Sequence, residues 1–408
     1  VVLSQSSLAK SGMKIILLTQ YYRPEMGAPQ SRLFEMLRGL KQLGAEVSVV
    51  TAMPNYPEGR IFEPFRAKFS LRELRDGIDV KRYWLYASNS KRSMPRIFSM
   101  LSFSAMSLLS LGFCRKKRPD ILIVESPPLT LAISAWILAR LTGSKLVTNV
   151  SDLWPLSALE LGVISRGHMY KILEGVERFV YKRSTAILGQ SQEIVDYIRE
   201  RGFNNNYLFR NGVDYERFEA VPAVRIAAEG KAIVYAGLLG VAQGILNICK
   251  SIDFGSLGLQ FHIYGAGAEK QELIDFIEKN PDRAIVYKGV VQREEIPAML
   301  KQYDAALIPL TKMIYGAVPS KIYEAMAAGL PVLFSGEGEG ARIIKENKLG
   351  WVNHPADMAA LEANVREFAL ADNETIRRNG IRLAQTTFNR PNQVESLFNY
   401  LKTIISEK

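Results

Sequence analysis

The chain has 408 residues, 48% of them hydrophobic, and a formal net charge of +11. That length calls for two or three domains with full cores and excludes a disordered or fibrous chain. Two cysteines exclude a disulfide framework, three histidines leave little room for histidine-based catalysis, and no His/Cys cluster has metal-ligand spacing.

Residues 1–12 read as a leader or expression remnant, too polar for a secretory signal. Met13-Lys14 opens the first strand, Ile15–Thr19. The loop Tyr21-Tyr22-Arg23-Pro24-Glu25-Met26-Gly27-Ala28-Pro29 then leads into a helix from about Pro29 to Leu43, stopped by Gly44. Ligands sit at strand carboxyl ends in open α/β sheets, and Gly27 allows a phosphate to approach the backbone closely. Any α/β protein also needs a turn there. Glu46–Thr51 is the next strand.

Ile97 to Cys114 is an uncharged stretch of 18 residues between Lys91, Arg92 and Arg96 on one side and Arg115-Lys116-Lys117-Arg118 on the other. Its serines 99, 102, 107 and 110 share one side of a helix, so a core or interfacial helix is expected rather than a span. Two readings stand: a basic, apolar dock onto an anionic membrane face, or a buried helix with solvated ends. No recognition motif directs the positive charge to nucleic acid.

Strands follow at Ile121–Val124, Lys145–Val150 and Thr185–Leu188, with helices at Leu129–Leu141 and Ser191–Glu200. The pattern pauses near Arg210-Asn211-Gly212-Val213-Asp214, and Glu216–Lys231 reads as a crossover. A second series starts at Ala232–Ala236 and continues through Gln260–Tyr264, Ala284–Lys288, Ala305–Pro309 and Val332–Phe334. Gln393–Ile405 reads as a terminal helix. This alternation predicts an α/β protein with two mostly parallel, doubly wound sheets.

Several segments carry chemistry. Asp152, a hydrophilic residue just after a buried strand, either points into a cleft or caps the next turn. Tyr235–Gly244 and His262–Lys270 each give strand, glycine turn, helix. Gly265-Ala266-Gly267 is two thirds of a dinucleotide fingerprint, but Lys270 holds the third glycine position; a plain tight turn explains it equally. The most informative run is Pro319-Ser320-Lys321-Ile322-Tyr323-Glu324-Ala325-Met326-Ala327-Ala328-Gly329-Leu330-Pro331. Ser320 is expected to cap a helix that Gly329 ends and Pro331 keeps from restarting. Such a helix start has unpaired N–H groups and a positive dipole end suited to phosphate, while a carboxylate one turn in accepts bonds from a ribose diol.

This run closely resembles the sugar-nucleotide signature of retaining GT-B glycosyltransferases of the large bacterial family 4, above all their WbuB-like and WcaI-like branch of surface polysaccharide synthesis. Asp152-Leu153-Trp154-Pro155 and Asn211–Asp214 carry the same resemblance, which covers nearly all of residues 13–400. It implies the GT-B fold, two Rossmann-like doubly wound domains facing across a cleft. The acceptor side would be residues 13–210, the nucleotide-sugar domain 211–390, and the helix at 391–408 would cross back.

The resemblance implies donor contacts from Gly27, Ala28, Gly237, Gln243, Tyr264, Gly265, Pro319, Ser320, Lys321 and Glu324, and catalytic roles for Asp152, Glu324 and Lys321. No metal or other cofactor is expected. The chain also departs from the family. Many members have a second glycine at Ala28, a histidine at Ser151, an arginine and a lysine at Val241 and Gln243, and a second glutamate at Gly316. Lys321, Lys312, Arg23 or helix N-termini are then left to balance a leaving diphosphate, where preorganised charge matters most. With Gly316 in place of the glutamate, the expected reaction is a front-face displacement in which the leaving phosphate helps deprotonate the acceptor.

The implied activity moves a sugar, an N-acetylated deoxysugar such as N-acetylfucosamine, from a UDP-linked donor to a polyprenyl-linked glycan. Capsule, O-antigen or exopolysaccharide assembly at the inner face of the cell membrane is the implied setting, with peripheral contact to anionic lipid. The alternatives are a sugar-nucleotide 2-epimerase of the same fold and a weakly catalytic nucleotide-binding subunit.

Overall fold

The computed structural model describes residues 12–25, 27–90, 93–224, 230–355 and 357–406, and every count below refers to these. The leader expected at residues 1–12, Gly12 aside, and the basic pair Lys91-Arg92 lie outside them, as does part of the crossover after Glu216. The chain divides into two compact units. One holds the described residues up to Arg210 and those from Pro391 on; the other is Asn211–Arg390.

The first unit runs β1 (Lys14–Thr19), α1 (Ala28–Gln42), β2 (Glu46–Ala52), β3 (Ser70–Arg75), β4 (Ile78–Tyr83), α2 (Ser93–Ser107), α3 (Leu111–Lys117), β5 (Ile121–Ser126), α4 (Leu129–Thr142), β6 (Lys145–Val150), α5 (Leu156–Glu160), α6 (His168–Arg183), β7 (Ala186–Gly189), α7 (Gln192–Glu200) and β8 (Asn206–Leu208). Its eight strands are ordered β3-β4-β2-β1-β5-β6-β7-β8. All are parallel except β3, which pairs antiparallel with β4 at the edge. β5 is buried at every position, so its apolar run has no polar alternation, as in a strand covered on both faces. Ser70–Tyr83 is not among the strands expected from sequence; β3 sets only Leu71 and Leu74, three apart, among Arg72, Glu73 and Arg75 and so lacks both an apolar run and a period of two. Arg72 forks onto Asp79 at 2.9 and 2.7 Å across that edge, and charge there protects an open strand from mispairing.

The second unit holds α8 (Glu216–Glu219), β9 (Lys231–Ala236), α9 (Ile245–Ser251), β10 (Leu259–Tyr264), α10 (Lys270–Lys279), β11 (Ile285–Gly289), α11 (Ile296–Leu300), β12 (Ala305–Pro309), α12 (Ser320–Ala328), β13 (Val332–Ser335), α13 (Gly338–Glu346), β14 (Gly350–Asn353), α14 (Met358–Leu370) and α15 (Glu374–Gln385). Its six strands are all parallel, in the order β11-β10-β9-β12-β13-β14. The order reverses between β9 and β12, which opens a crevice at their carboxyl ends.

The last helix, α16 (Arg390–Ser406), returns the chain to the first unit. Val394, Leu397, Phe398, Leu401 and Ile404 fall at helical spacing and enter the core built on β1, β2, β5, β6 and β7. Each such burial stabilises by roughly 1.5–3 kcal/mol. Gly39 on α1 makes the close approach possible, since a Cβ there would lie 2.8 Å from Val394 Cγ1.

Helix α2 and the turn that follows it to Ser110 are amphipathic in reverse. Ser99, Ser104, Ser107 and Ser110 are buried, whereas Met94, Ile97, Phe98, Leu101 and Leu109 are 41–60% exposed. The serines are satisfied inside: Ser104 Oγ donates to Met100 O at 2.8 Å, Ser134 Oγ donates to Ser104 O at 2.7 Å, and Gln20 Nε2 donates to Ser99 Oγ at 3.4 Å. Met94–Lys117 is long and apolar enough to cross a membrane by length and composition, and a third of its most apolar 18 residues is buried in the fold.

Candidate active site

Helix α12 begins at Ser320, with Pro319 as its extended N-cap and no side-chain cap. The expectation that Ser320 caps this helix is therefore corrected: it is the first helical residue. Pro319 at the cap position offers only its carbonyl, which accepts from the Ile322 amide at 3.1 Å. The first amides of the helix consequently have no acceptor within it. Gly329, at φ 69, closes the other end in the left-handed conformation that glycine adopts freely. Ile322, Tyr323, Ala325, Met326 and Ala327 are buried. Lys321 and Glu324, one turn apart, share another face.

That face lines a cavity of about 450 Å³ in the second unit. Ser320, Lys321 and Glu324 meet Gly237, Tyr264 and Gly265 there, and Val290, Val291, Ile296 and Leu300 form an apolar wall. Burial pushes the Lys321 pKa down, while the Glu324 charge pulls it back up. The ammonium lies 4.9 Å from the Tyr235 ring centroid, within cation–π reach.

Glycines make room for this arrangement. A Cβ on Gly237 would fall 2.0 Å from Lys321 Nζ, and one on Gly265 1.8 Å from Gly237 O. Gly265 also has φ 150, outside the range most side chains accept. The two loops stay paired beyond their strands: the Gly237 amide donates to Tyr264 O and the Leu239 amide to Ala266 O, both at 2.9 Å. The cavity floor is thus main chain.

Behind the wall lies a chain of buried polar groups that the sequence reading missed. Tyr264 Oη is 2.9 Å from Tyr303 Oη, which is 3.1 Å from His262 Nδ1, and His262 Nε2 is 3.0 Å from Gln260 Oε1. Burial, helped by Lys288, pushes the His262 pKa down to about 4. The available signal was the two-residue spacing of Gln260, His262 and Tyr264, which puts all three on one face of β10.

The other expected residues fall elsewhere. Gln243 lines a separate depression of about 300 Å³ with Thr311 and Glu269, and Val241 is 78% exposed. Lys312 is exposed, and Arg23, in the first unit, stacks on Phe34 and pairs with Asp76 at 3.3 Å. Of the side-chain cations considered for a diphosphate, Lys321 is the one that lines the cavity. Gly27 is the N-cap of α1 in extended conformation, where a Cβ would press 2.4 Å from Gln30 Oε1. Ala28 is the first residue of that helix.

Asp152, in the first unit, does not cap α5, whose N-cap is Pro155. It accepts from Ser157 Oγ at 3.0 Å, and burial pushes its pKa up. Two buried clusters of the first unit were also unforeseen. Glu25 accepts from the amides of Tyr22, Asn55 and Tyr56 at 2.7–3.0 Å, yet burial pushes its pKa up to about 7. Arg32 donates to Gln190 Oε1 at 2.6 Å and to Glu125, whose other oxygen accepts from Asn149 Nδ2 at 2.5 Å.

Comparison with known proteins finds one family on each half of the chain. The glycosyl transferase 4-like domain family matches residues 27–212, and the glycosyl transferases group 1 family matches residues 216–382. WcaI of Escherichia coli K12, provisionally named a colanic acid biosynthesis glycosyl transferase, is 26% identical over 96% of this chain and its own whole length. WbjE of Pseudomonas aeruginosa, provisionally named a glycosyltransferase, is 29% identical over 69% of this chain and 72% of its own. The structure of Anabaena HepE with UDP and glucose superposes with a TM-score of 0.65 at 14% identity, covering 96% of this chain and all of HepE. With both halves matched in order and the two parallel sheets in place, the chain belongs to the WcaI-like family 4 glycosyltransferases of GT-B fold.

Proposed function

We propose that this glycosyltransferase transfers a sugar from a UDP-linked donor to a lipid-linked glycan during assembly of a surface polysaccharide. The observation that carries the donor half is the cavity where Lys321, Glu324, Gly237 and the open start of α12 converge. Lys321 and the first α12 amides face the diphosphate, Glu324 accepts from the ribose hydroxyls, and Tyr264 with the apolar wall borders the base. The names of WcaI and the UDP held by HepE support the pathway and the nucleotide.

In this reading Lys321 replaces the cations missing at Val241 and Gln243. A desolvated ammonium is worth more to a leaving diphosphate than a hydrated one, because nothing else screens it. The acceptor hydroxyl attacks the anomeric carbon on the face the diphosphate leaves. The bond to the β-phosphate oxygen breaks, and that phosphate takes the hydroxyl proton. Asp152 orients the acceptor, and the sugar is an N-acetylated deoxysugar.

The exposed apolar face of α2, with Arg96 beside it and Arg115, Lys116 and Lys117 closing α3, supports peripheral docking on an anionic membrane face. Thermal unfolding with UDP, GDP, ADP and NAD tests the donor assignment, since a ligand of the folded state raises its stability. UDP is expected to give the largest shift. Stabilisation by NAD alone overturns the reading, and sugar-nucleotide turnover without any acceptor points instead to the epimerase.

A further inference from the structure

A second pocket, of about 610 Å³, lies wholly in the first unit between α5, the start of α6 and the end of α7. Its lining includes Arg166, His168, Lys171 and Arg201, opposed by one carboxylate, Glu174. The floor is built and rigid. Buried Glu177 accepts from Tyr181 Oη at 3.1 Å and Tyr197 Oη at 3.2 Å, and the Arg201 guanidinium stacks 3.3 Å over the Tyr197 ring centroid. Arg201 is fixed there by stacking, while its polar contacts within the protein are long: 3.5 Å to Tyr197 O and 3.9 Å to Glu174. Most of its planar donor fork is left over, the geometry that suits phosphate.

Interleaved with these cations are exposed apolar residues. Leu161 and Val163 precede α6, and Met169 and Ile172, each 61% exposed, alternate with His168 and Lys171 on its first turns. Cations in a concave site beside an apolar rim match an amphiphile with an anionic head. Leu156 lines the same pocket, and its neighbour Ser157 holds Asp152.

We infer that this pocket binds the phosphate group of the lipid-linked acceptor, with Arg166, Lys171 and Arg201 on the phosphoryl oxygens and Met169 and Ile172 against the first isoprenoid units. The inference deepens the lipid-linked reading and rests on it. The test measures binding of the full chain to polyprenyl diphosphate in detergent micelles, to neutral polyprenol, and to inorganic pyrophosphate. Wild type is expected to prefer polyprenyl diphosphate over polyprenol by at least about tenfold, each charged contact contributing on the order of tenfold or less. The exposed-site variant R166Q/K171Q is expected to lose about tenfold for both phosphorylated ligands. M169S/I172S is expected to weaken only the lipid. The UDP-induced thermal shift, unchanged in both, reports intact folding.

Wild-type affinity for polyprenyl diphosphate in R166Q/K171Q overturns the site while leaving the acceptor reading intact. Equal binding of diphosphate and polyprenol removes phosphate recognition. Pyrophosphate binding that M169S/I172S shares with wild type, with no lipid preference, reassigns the pocket to free phosphate and overturns the proposal. Failure of wild type to bind polyprenyl diphosphate at all removes the lipid-linked acceptor itself.

Discussion

Arg32 and Lys321 are both cations held near strand carboxyl ends, one in each unit, and they are treated oppositely. Arg32 is held inside the fold by Gln190 and Glu125, and Asn149 adds a donor to that carboxylate, while Arg32 Nε, Gln190 Nε2 and Asn149 Oδ1 are left without a hydrogen-bond partner. Lys321 looks into a void with Glu324 one turn away and an aromatic ring beneath. The first arrangement cancels its charge internally and contributes to holding α1 against the sheet. The second keeps a charge desolvated and available, which costs stability and, under the proposed function, serves the donor diphosphate. The buried Arg32 and the half-buried Lys321 thus teach that withdrawal from water alone does not mark a site; what matters is whether the partner is in the chain.

The strongest test of this contrast is a stability comparison. Arg32→Met strands the Glu125 carboxylate in the interior and is expected to cost about 3–5 kcal/mol in urea unfolding. Lys321→Met removes a desolvated charge and is expected to leave stability unchanged or raise it. Equal losses in the two variants would erase the distinction. Next comes activity: Lys321→Met should lower kcat/KM by about 100- to 1,000-fold, the range seen when one preorganised electrostatic contact is removed. Retention of wild-type turnover would return the search for the diphosphate cation to Lys312 or Arg23.

Glu324→Gln is smaller and more selective. Donor affinity, read by calorimetry, should fall about tenfold, the worth of a hydrogen bond to a charged group, with little change in Tm. Unchanged affinity would remove the ribose assignment. The smallest effect concerns pH. His262 is neutral in the fold down to about 4, against its ordinary 6.5. Between those values the unfolded chain takes a proton that the folded chain refuses, so stability falls as pH falls through that window and is unaffected above it. His262→Gln should flatten the Tm decline from pH 6.5 to 4; an unaltered slope would mean that burial and the Lys288 charge do not hold the ring neutral.

Much of this architecture was legible. Parallel strands buried on both faces, such as β5 and β12, announce themselves as continuous apolar runs, and Gly329 marks its helix end without ambiguity. Strand β3 was not legible, because an edge strand needs charge and so loses the apolar signature. At the site, Lys321 and Glu324 could be read as one helical face, and Gly237 and Gly265 as close turns. The polar chain behind Tyr264 could not, since it joins Tyr303 to His262 across 41 positions that only the sheet brings together. Ser320 was misread as a cap because its residue type favours that position; Pro319 took it, extended by its own ring and the turn before it.

The main-chain floor under the cavity has an evolutionary consequence. A side chain at Gly265 would strike the backbone of the facing loop, and one at Gly237 would displace the Lys321 ammonium, so this surface offers selection little to vary. Under the proposed donor assignment, donor preference varies through Val290, Val291, Ile296 and Leu300, which border the same space. An effort to retarget the enzyme, or to find inhibitors that spare its relatives, should therefore begin at that wall and leave the floor alone.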